Sequence, residues 1–508
     1  MRTKRYMKNS IYSIVSYALI LVLALVNRKI FVLTLDYEYL GYENLFNDVF
    51  QVMSVAELGI DTIITYNLYR ELAHGDKGNI SKLMSIYKYV YAAVGCLILF
   101  ISMFAYPLVE RFLLADVANL TYARIVYAVQ CVVVVSTYFL AYKRALFIAD
   151  QKEYICIQAD AAFNLLAQLL QIIILCFTHN YILYICIKLI RSIGANLLIH
   201  YRYSKEYVEI KALPVKKADF QNFKFFSDVK NFLVHKIAYI IYNGVDNIVI
   251  TMLLGIKSVA LFGNYSLIQA QSTLLIEKVL KPLRATIGNL VNEDAEYAHV
   301  WFRRFDIVGQ FLGTFVLLAY SILFQPLIIL WLGADFVLPF GFVLALSLKN
   351  YFLWAFELLY YFRSAYGNYD YDRKYMILAA ACNLSGSIIL GHFFGMEGIA
   401  VATLIGMCII TWGRIKFVHK YIFTDSLIKF VGRHILYLAV AGSGVAMGLF
   451  MCQNLPISLS GFLLRVIVVV FLTLLLNGLL FITNCDMREM FSFGIRLIKK
   501  YLGKEAKQ

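Results

Sequence analysis

The feature that most constrains this chain is a succession of apolar runs of roughly 20 residues, the length a helix needs to cross a hydrocarbon core of about 30 Å. About fourteen of them can be marked off by that criterion. They cover residues 10–33, 42–67, 83–106, 118–140, 155–178, 181–201, 231–254, 258–277, 306–330, 338–362, 375–394, 397–418, 433–452 and 459–483. The 508 residues are 61% hydrophobic and 16% charged, with a mean hydropathy of +0.70. A soluble domain with a polar surface does not reach such values. Six prolines and 29 glycines leave no Pro-rich linker that would mark off a soluble domain. The expected fold is an all-α polytopic membrane protein.

Lys and Arg near helix ends stay on the cytoplasmic side, and here they fall in every second loop. The amino terminus has Arg2, Lys4, Arg5 and Lys8, and residues 141–154 have Lys143, Arg144 and Lys152. Residues 202–230 add Arg202, Lys205, Lys211, Lys216, Lys217, Lys224 and Lys230, with further basic groups near 278–304, 363–374, 414–433 and after 485. The alternate loops carry little basic beyond Arg111 and Lys257, and the first of them holds Asp36 and Glu38. A wrong helix count would scramble this alternation, so both termini are expected in the cytoplasm. The net charge of +15 is thereby read as topology and not as nucleic-acid binding. No outer loop exceeds about a dozen residues on this segmentation, which leaves no room for an extracytoplasmic catalytic domain.

The start, MRTKRYMKNS before an apolar run, has no small-residue cleavage site and reads as leading into a first spanning helix. The nine cysteines form no CxxC pair and lie mostly in apolar runs, so they read as small core residues. The long basic loop divides the first twelve runs into six and six. This predicts a first lobe over 1–201, a cytoplasmic linker over 202–230, a second lobe over 231–422, two further helices over 423–484 and a basic tail over 485–508. In the linker, Phe220, Phe223 and Phe226 repeat every three residues between lysines and predict a short helix lying on the bilayer. The second half starts in the same orientation as the first, as duplication of a six-helix unit requires. LGYENLF at 40–46 and FGNYSLI at 262–268 stand at matching places in the two halves.

Charge is costly inside a bilayer and normally faces a watery cavity or a partner. Within the first six runs the charged residues that stand out as candidates are Arg28, Lys29, Glu57, Asp61, Arg124, Asp160, Lys188 and Arg191, five of the eight basic. Surplus positive charge suits a pyrophosphate, to which Arg and Lys donate several hydrogen bonds. Lys188 and Arg191, at i and i+3 near the middle of the sixth run, are the foremost candidates, since neither surface is in easy reach. Arg28, Lys29 and Arg124 lie nearer the outer face, where snorkelling or an ion pair competes with ligand contact. Asp160, Asn164, Gln168 and Gln171 form one helical stripe suited to sugar hydroxyls or to helix packing. Glu57 and Asp61 share a face and could take a proton or Na⁺, or neutralise an arginine. In the second half, His235, Tyr239, Tyr242 and Asp246 recur on one face beside Lys236, Asn243 and Asn247, and Lys349 and Glu357 lie eight residues apart. Asp246, His235, Lys236 and Glu357 are thus candidates for gating or coupling, and Lys349 for substrate. Neither HExxH nor GxxxxGK[ST] occurs, so no metal centre, cofactor or nucleotide hydrolysis is expected.

Four segments resemble the multidrug/oligosaccharidyl-lipid/polysaccharide (MOP) flippase superfamily, and within it the Wzx-type polysaccharide flippases. They are YLGYENLFNDVFQVMSVAELGIDT, YKRALFIADQKEY, HKIAYIIYNGVDNIVITMLLGIKSVALFGNYSLI and GNYDYDRKYMILAAACNLSGSIILGHFFGMEGIAVATLIG, and their order and topological positions agree. Asp61 departs from the pattern, which has a small residue after ELGI. The resemblance implies two MATE-like six-helix lobes around a cavity, two extra helices, and location in the bacterial cytoplasmic membrane. It implies movement of an undecaprenyl-pyrophosphate-linked oligosaccharide to the outer face. The expected partners are that glycan, membrane lipids, and the polymerase and glycosyltransferases of the same pathway, with H⁺ or Na⁺ as candidate coupling ion. A MurJ-like lipid II flippase, a MATE-type antiporter and, from another class, a membrane polymerase or ligase are the rivals.

Overall fold

The computed structural model describes residues 19–54, 60–114, 119–211, 213–215, 237–293, 295–365, 370–421 and 426–481. The expected linker helix and the basic tail lie outside them. Among the described residues the regular structure is helical throughout, as it must be where no water is at hand to satisfy the backbone. Nine of the described helices are long and apolar enough to cross a membrane, or ten when one bent pair is taken as a single span. Apolar side chains point outward as well as inward: Phe177 is 82% exposed and Phe393 73%. Such surface belongs against lipid.

Contacts divide the chain into two compact units, one up to Gly263 and one from Asn264. The first contains α1 (residues 19–34), α2 (Glu38–Met53), α3 (Ile60–His74), α4 (Lys77–Leu113), α5 (Leu120–Tyr138), α6 (Tyr142–Ala149), α7 (Glu153–Thr178) and α8 (Tyr181–Glu206). It also takes in α9 (Ile237–Gly244), α10 (Asp246–Leu254) and the start of α11 (Ile256–Glu293). Polar residues set the helix starts. Asp76 accepts the Asn79 N–H at 3.0 Å, Asn119 that of Tyr122 at 3.0 Å, and Asn180 those of Ile182 and Leu183 at 2.9 and 3.1 Å. These caps supply acceptors for amides that lack an intrahelical partner. His179 takes φ +50° ahead of Asn180, so that α7 and α8 are joined within three residues and pack as antiparallel neighbours. At the other end of the pair, Lys152 bridges Asp150 at 2.7 Å and Glu206 at 2.6 Å. Those two hydrogen bonds hold its ammonium above the usual lysine range.

The first unit's core is aromatic, with Phe31, Phe46, Phe50 and Tyr181 at 2% exposure or less. Glycine lets α2 lie close against α11. A Cβ on Gly41 would strike the Ile256 carbonyl oxygen, and one on Gly263 would strike the Asn44 amide. The matched segments LGYENLF and FGNYSLI therefore meet one another in space.

The second unit continues α11 and adds α12 (Ala295–Trp331), α13 (Phe340–Ala355), α14 (Glu357–Ala365), α15 (Asp370–Tyr421), α16 (Leu427–Cys452) and α17 (Leu459–Phe481). Gly309 and Gly313 of α12 lie against the Ala355 end of α13 without room for a Cβ. α15 contains two of the apolar runs, broken at Gly395, where φ is +59° and ψ −136°. Only glycine adopts that conformation without strain. Other breaks fall inside runs that the sequence reads as continuous. The run at 338–362 is interrupted at Phe356, and the one at 231–254 bends by 42° between Gly244 and Asp246.

Candidate functional site

Within the first unit, three helices bring charge together. Glu43 of α2 and Lys188 of α8 pair at 2.7 Å, each side chain 19% exposed. Arg28 of α1 and Arg191 of α8 also act on the Glu43 carboxylate. The Arg28 guanidinium donates to the Gly263 carbonyl at 3.4 Å, and Lys29 is half-buried next to it. Helix geometry explains the convergence on α8, because Lys188 and Arg191 are one turn apart and project to the same side. Below the cluster, Asn27 donates to Gln171 at 3.1 Å and Gln171 to the Tyr184 carbonyl at 3.3 Å. Tyr39 stacks on Tyr181 at 4.9 Å, and Phe31 meets Tyr184 edge-on at 5.0 Å. The result is three bases around one carboxylate, walled by aromatic rings. An anion with several oxygens is the ligand such a set can hold.

The other sequence candidates fall elsewhere. Asp160 is not a free sugar ligand, for both its oxygens accept from Arg144 at 2.7 Å, and Arg144 Nε donates to Asn196 at 2.9 Å. That fork ties α6 to α7 and α8. Along the same stripe, Gln168 donates to Asn164 at 3.2 Å, and Gln168 and Gln171 are buried, so helix packing takes this end of the stripe. Arg124 is kept from the cluster by an ion pair with Glu110 at 3.1 Å and by Tyr106. The three line a cavity of about 560 Å³ together with Pro107 and Arg111. Glu357 faces Arg414 at 3.9 Å. Lys349 is half-buried on α13 beside Asn350, which accepts from Gln269 at 3.3 Å.

The single helical face expected from His235 to Asp246 does not persist, because the bend after Gly244 turns α10 away from α9. Tyr239 is 48% exposed and Tyr242 is buried. Glu57, His235 and Lys236 lie outside the described residues, as does the side chain of Asp61. Asp246 opens α10 and stands near a second carboxylate, Asp48 of α2, which accepts from both the backbone and the side chain of Asn247.

Sequence reasoning missed Glu43, Asp48, Glu110 and the second unit's Asp306. The Asp306 carboxylate holds the buried His434 at 2.9 Å, with Arg433 at 3.8 Å. Glu43 was within reach, since it sits inside the quoted LGYENLF segment and a balance of acids against bases would have asked for it.

Two units of apolar helices with buried polar clusters define a multi-pass membrane fold, and that fold is shared with solved membrane transporters. Over 92% of this chain and 98% of the other, it is similar to the lipid II flippase MurJ in an inward closed conformation, with a TM-score of 0.70 and 14% identity. It is similar to a MATE multidrug resistance transporter in an inward-facing conformation over 80% of this chain and 96% of that one, with a TM-score of 0.59 and 15% identity. A variant of the Vibrio cholerae MATE transporter VcmN gives 0.51 and 16% identity over 84% and 98%. No protein-family model and no curated protein matches the chain.

Proposed function

We propose that this chain is a transporter and not an enzyme: a flippase that moves undecaprenyl-pyrophosphate-linked oligosaccharide repeat units across the bacterial cytoplasmic membrane by alternating access. The observation that carries the reading is the excess of positive charge where Arg28, Lys188 and Arg191 surround Glu43. A diphosphate matches that excess, and guanidinium forks engage its oxygens in pairs. On this reading the pyrophosphate sits among these bases, the glycan lies against polar side chains, and the polyprenyl tail stays in lipid. H⁺ or Na⁺ is the coupling ion, with Asp246 among its ligands, and the pathway's polymerase and glycosyltransferases are the partners. Both termini are cytoplasmic.

The TM-score against MurJ favours a second reading, lipid II as cargo, which draws on the same phosphate chemistry. A cation antiporter is less well supported, since acidic and not basic residues would be expected to lead its site. The short, charge-poor outer loops count against a polymerase or ligase.

The test is a Lys188→Ala and Arg191→Ala double variant that reaches the membrane in normal amount. Polyprenyl-linked repeat units are expected to accumulate at the inner face while surface polysaccharide is lost. Unchanged translocation removes the reading, and a deletion strain that stops making peptidoglycan instead of polysaccharide selects lipid II.

A further inference from the structure

In the second unit α16 lies along α12 through small residues and one polar pair. Gly448 leaves no room for a Cβ beside Ile322, Gly444 faces Leu318, and nearer the start of both helices His434 meets Asp306 at 2.9 Å. Both members of the pair are buried. The partners of the imidazole fix where its protons must be. Nδ1 lies 2.8 Å from the Phe430 carbonyl oxygen, which can only accept, so Nδ1 carries a proton. Nε2 lies 2.9 Å from Asp306 Oδ1, where two facing lone pairs would repel, so a second proton stands between them. A neutral histidine carries one ring proton and a carboxylate none. The pair therefore holds one proton more than those forms, whether that proton is bonded to the nitrogen or to the oxygen.

The surroundings keep the ring in place. Phe430, Phe356 and Tyr437 have ring centres 4.1, 5.1 and 5.5 Å from that of His434. Arg433 is 3.8 Å from the other Asp306 oxygen, beyond hydrogen-bond length, and its side chain is 40% exposed. The shared proton is thus the nearer positive charge offsetting a buried carboxylate. Of the other titratable groups, Tyr437 of α16 and Tyr351 of α13 act on Asp306, and the Tyr351 hydroxyl donates to Gln310 of α12 at 2.8 Å. Arg303 and Arg304 precede Asp306 on α12. α14 carries Arg363 and Glu357, the latter facing Arg414 at 3.9 Å. α17 adds Leu480 to the apolar packing of Ile307 and Tyr437, and its Arg465 donates to the Leu455 carbonyl at 2.7 Å.

We propose that Asp306 and His434 form a proton-binding site and that the bound proton ties α16 to α12. Losing it leaves an acceptor facing an acceptor at one end of the imidazole or the other, so the tie weakens as pH rises. The site is separate from the Arg28, Lys188 and Arg191 cluster and stands whether or not that cluster binds a diphosphate.

The experiment compares the full chain with Asp306→Asn in a neutral maltoside detergent. The asparagine amide donates to Nε2 without a shared proton, so the tie persists and its pH dependence goes. Between about pH 7 and 9 the unfolding constant of the unaltered chain is expected to rise more steeply than that of Asp306→Asn, by up to about tenfold per pH unit, the linkage of one proton held in the folded state. Parallel profiles overturn the proposal. A second measurement needs no variant: magic-angle spinning NMR of the chain with ¹⁵N-histidine and ¹³C-aspartate at about pH 8, where an ordinary histidine is neutral. The ring whose Nε2 lies beside an aspartate carboxyl should have both nitrogens hydrogen-bonded, with a proton shared between Nε2 and that carboxyl. A bare ring nitrogen there overturns the proposal equally.

Discussion

Glu43 sets the charge balance of the first unit's cluster, holding Lys188 at 2.7 Å while acting on Arg28 and Arg191. Glu43→Gln keeps the shape and removes the counter-charge. Two effects of opposite sign are expected. The unfolding temperature should fall by the equivalent of about 3 kcal/mol, the cost of stranding a buried ion without its partner. Pyrophosphate should bind more tightly, because the anion no longer competes with a carboxylate. Thermal unfolding and calorimetry read the two, and weaker binding would mean that the carboxylate organises the site. The bases of this cluster were legible in the sequence, since a charge in an apolar run stands out whatever its surroundings. Their partners were not. Lys188 meets Glu43 across 145 positions and His434 meets Asp306 across 128, and no local pattern records such pairings. Asp160 shows the consequence, because its partner Arg144 read as one more loop cation.

Among the elements, helix positions were legible and helix breaks were not. A run of apolar residues states only that the segment is buried in lipid or protein. Whether the chain bends inside it depends on what the neighbours supply to the freed backbone groups. Hence α13 and α14, or α9 and α10, look like single helices in the sequence. The glycines divide in a way that can be tested. Gly41→Ala places a methyl against the Ile256 carbonyl, and backbone cannot move aside cheaply, so a loss of about 1–3 kcal/mol is expected. Gly442→Ala, in α16, meets nothing within 4 Å and should gain up to about 1 kcal/mol from lower chain entropy in the unfolded state. Unfolding temperatures of the two variants in the same detergent decide the matter, and equal shifts would mean that α2 and α11 are not in close contact.

For the whole molecule, the fold class followed from the density of apolar runs, and every described run is helical. Orientation still rests on the alternation of basic loops. In a background with the nine native cysteines replaced, Asn180→Cys and Asp335→Cys should react with a membrane-impermeant maleimide in intact cells. Gln151→Cys and Arg373→Cys should react only after permeabilisation, and the opposite pattern would invert the topology. Two short segments match between the halves of the sequence, but their mutual contact through Gly41 and Gly263 could not be read from spacing. The bend after Gly244 separates the order of the chain from the order of mechanical attachment. α10 follows α9 in sequence, yet its leading amide is anchored on Asp48, so its bearing is taken from α2. The 42° joint thus lets α10 take its direction from the helices it packs against, and not from the one that precedes it.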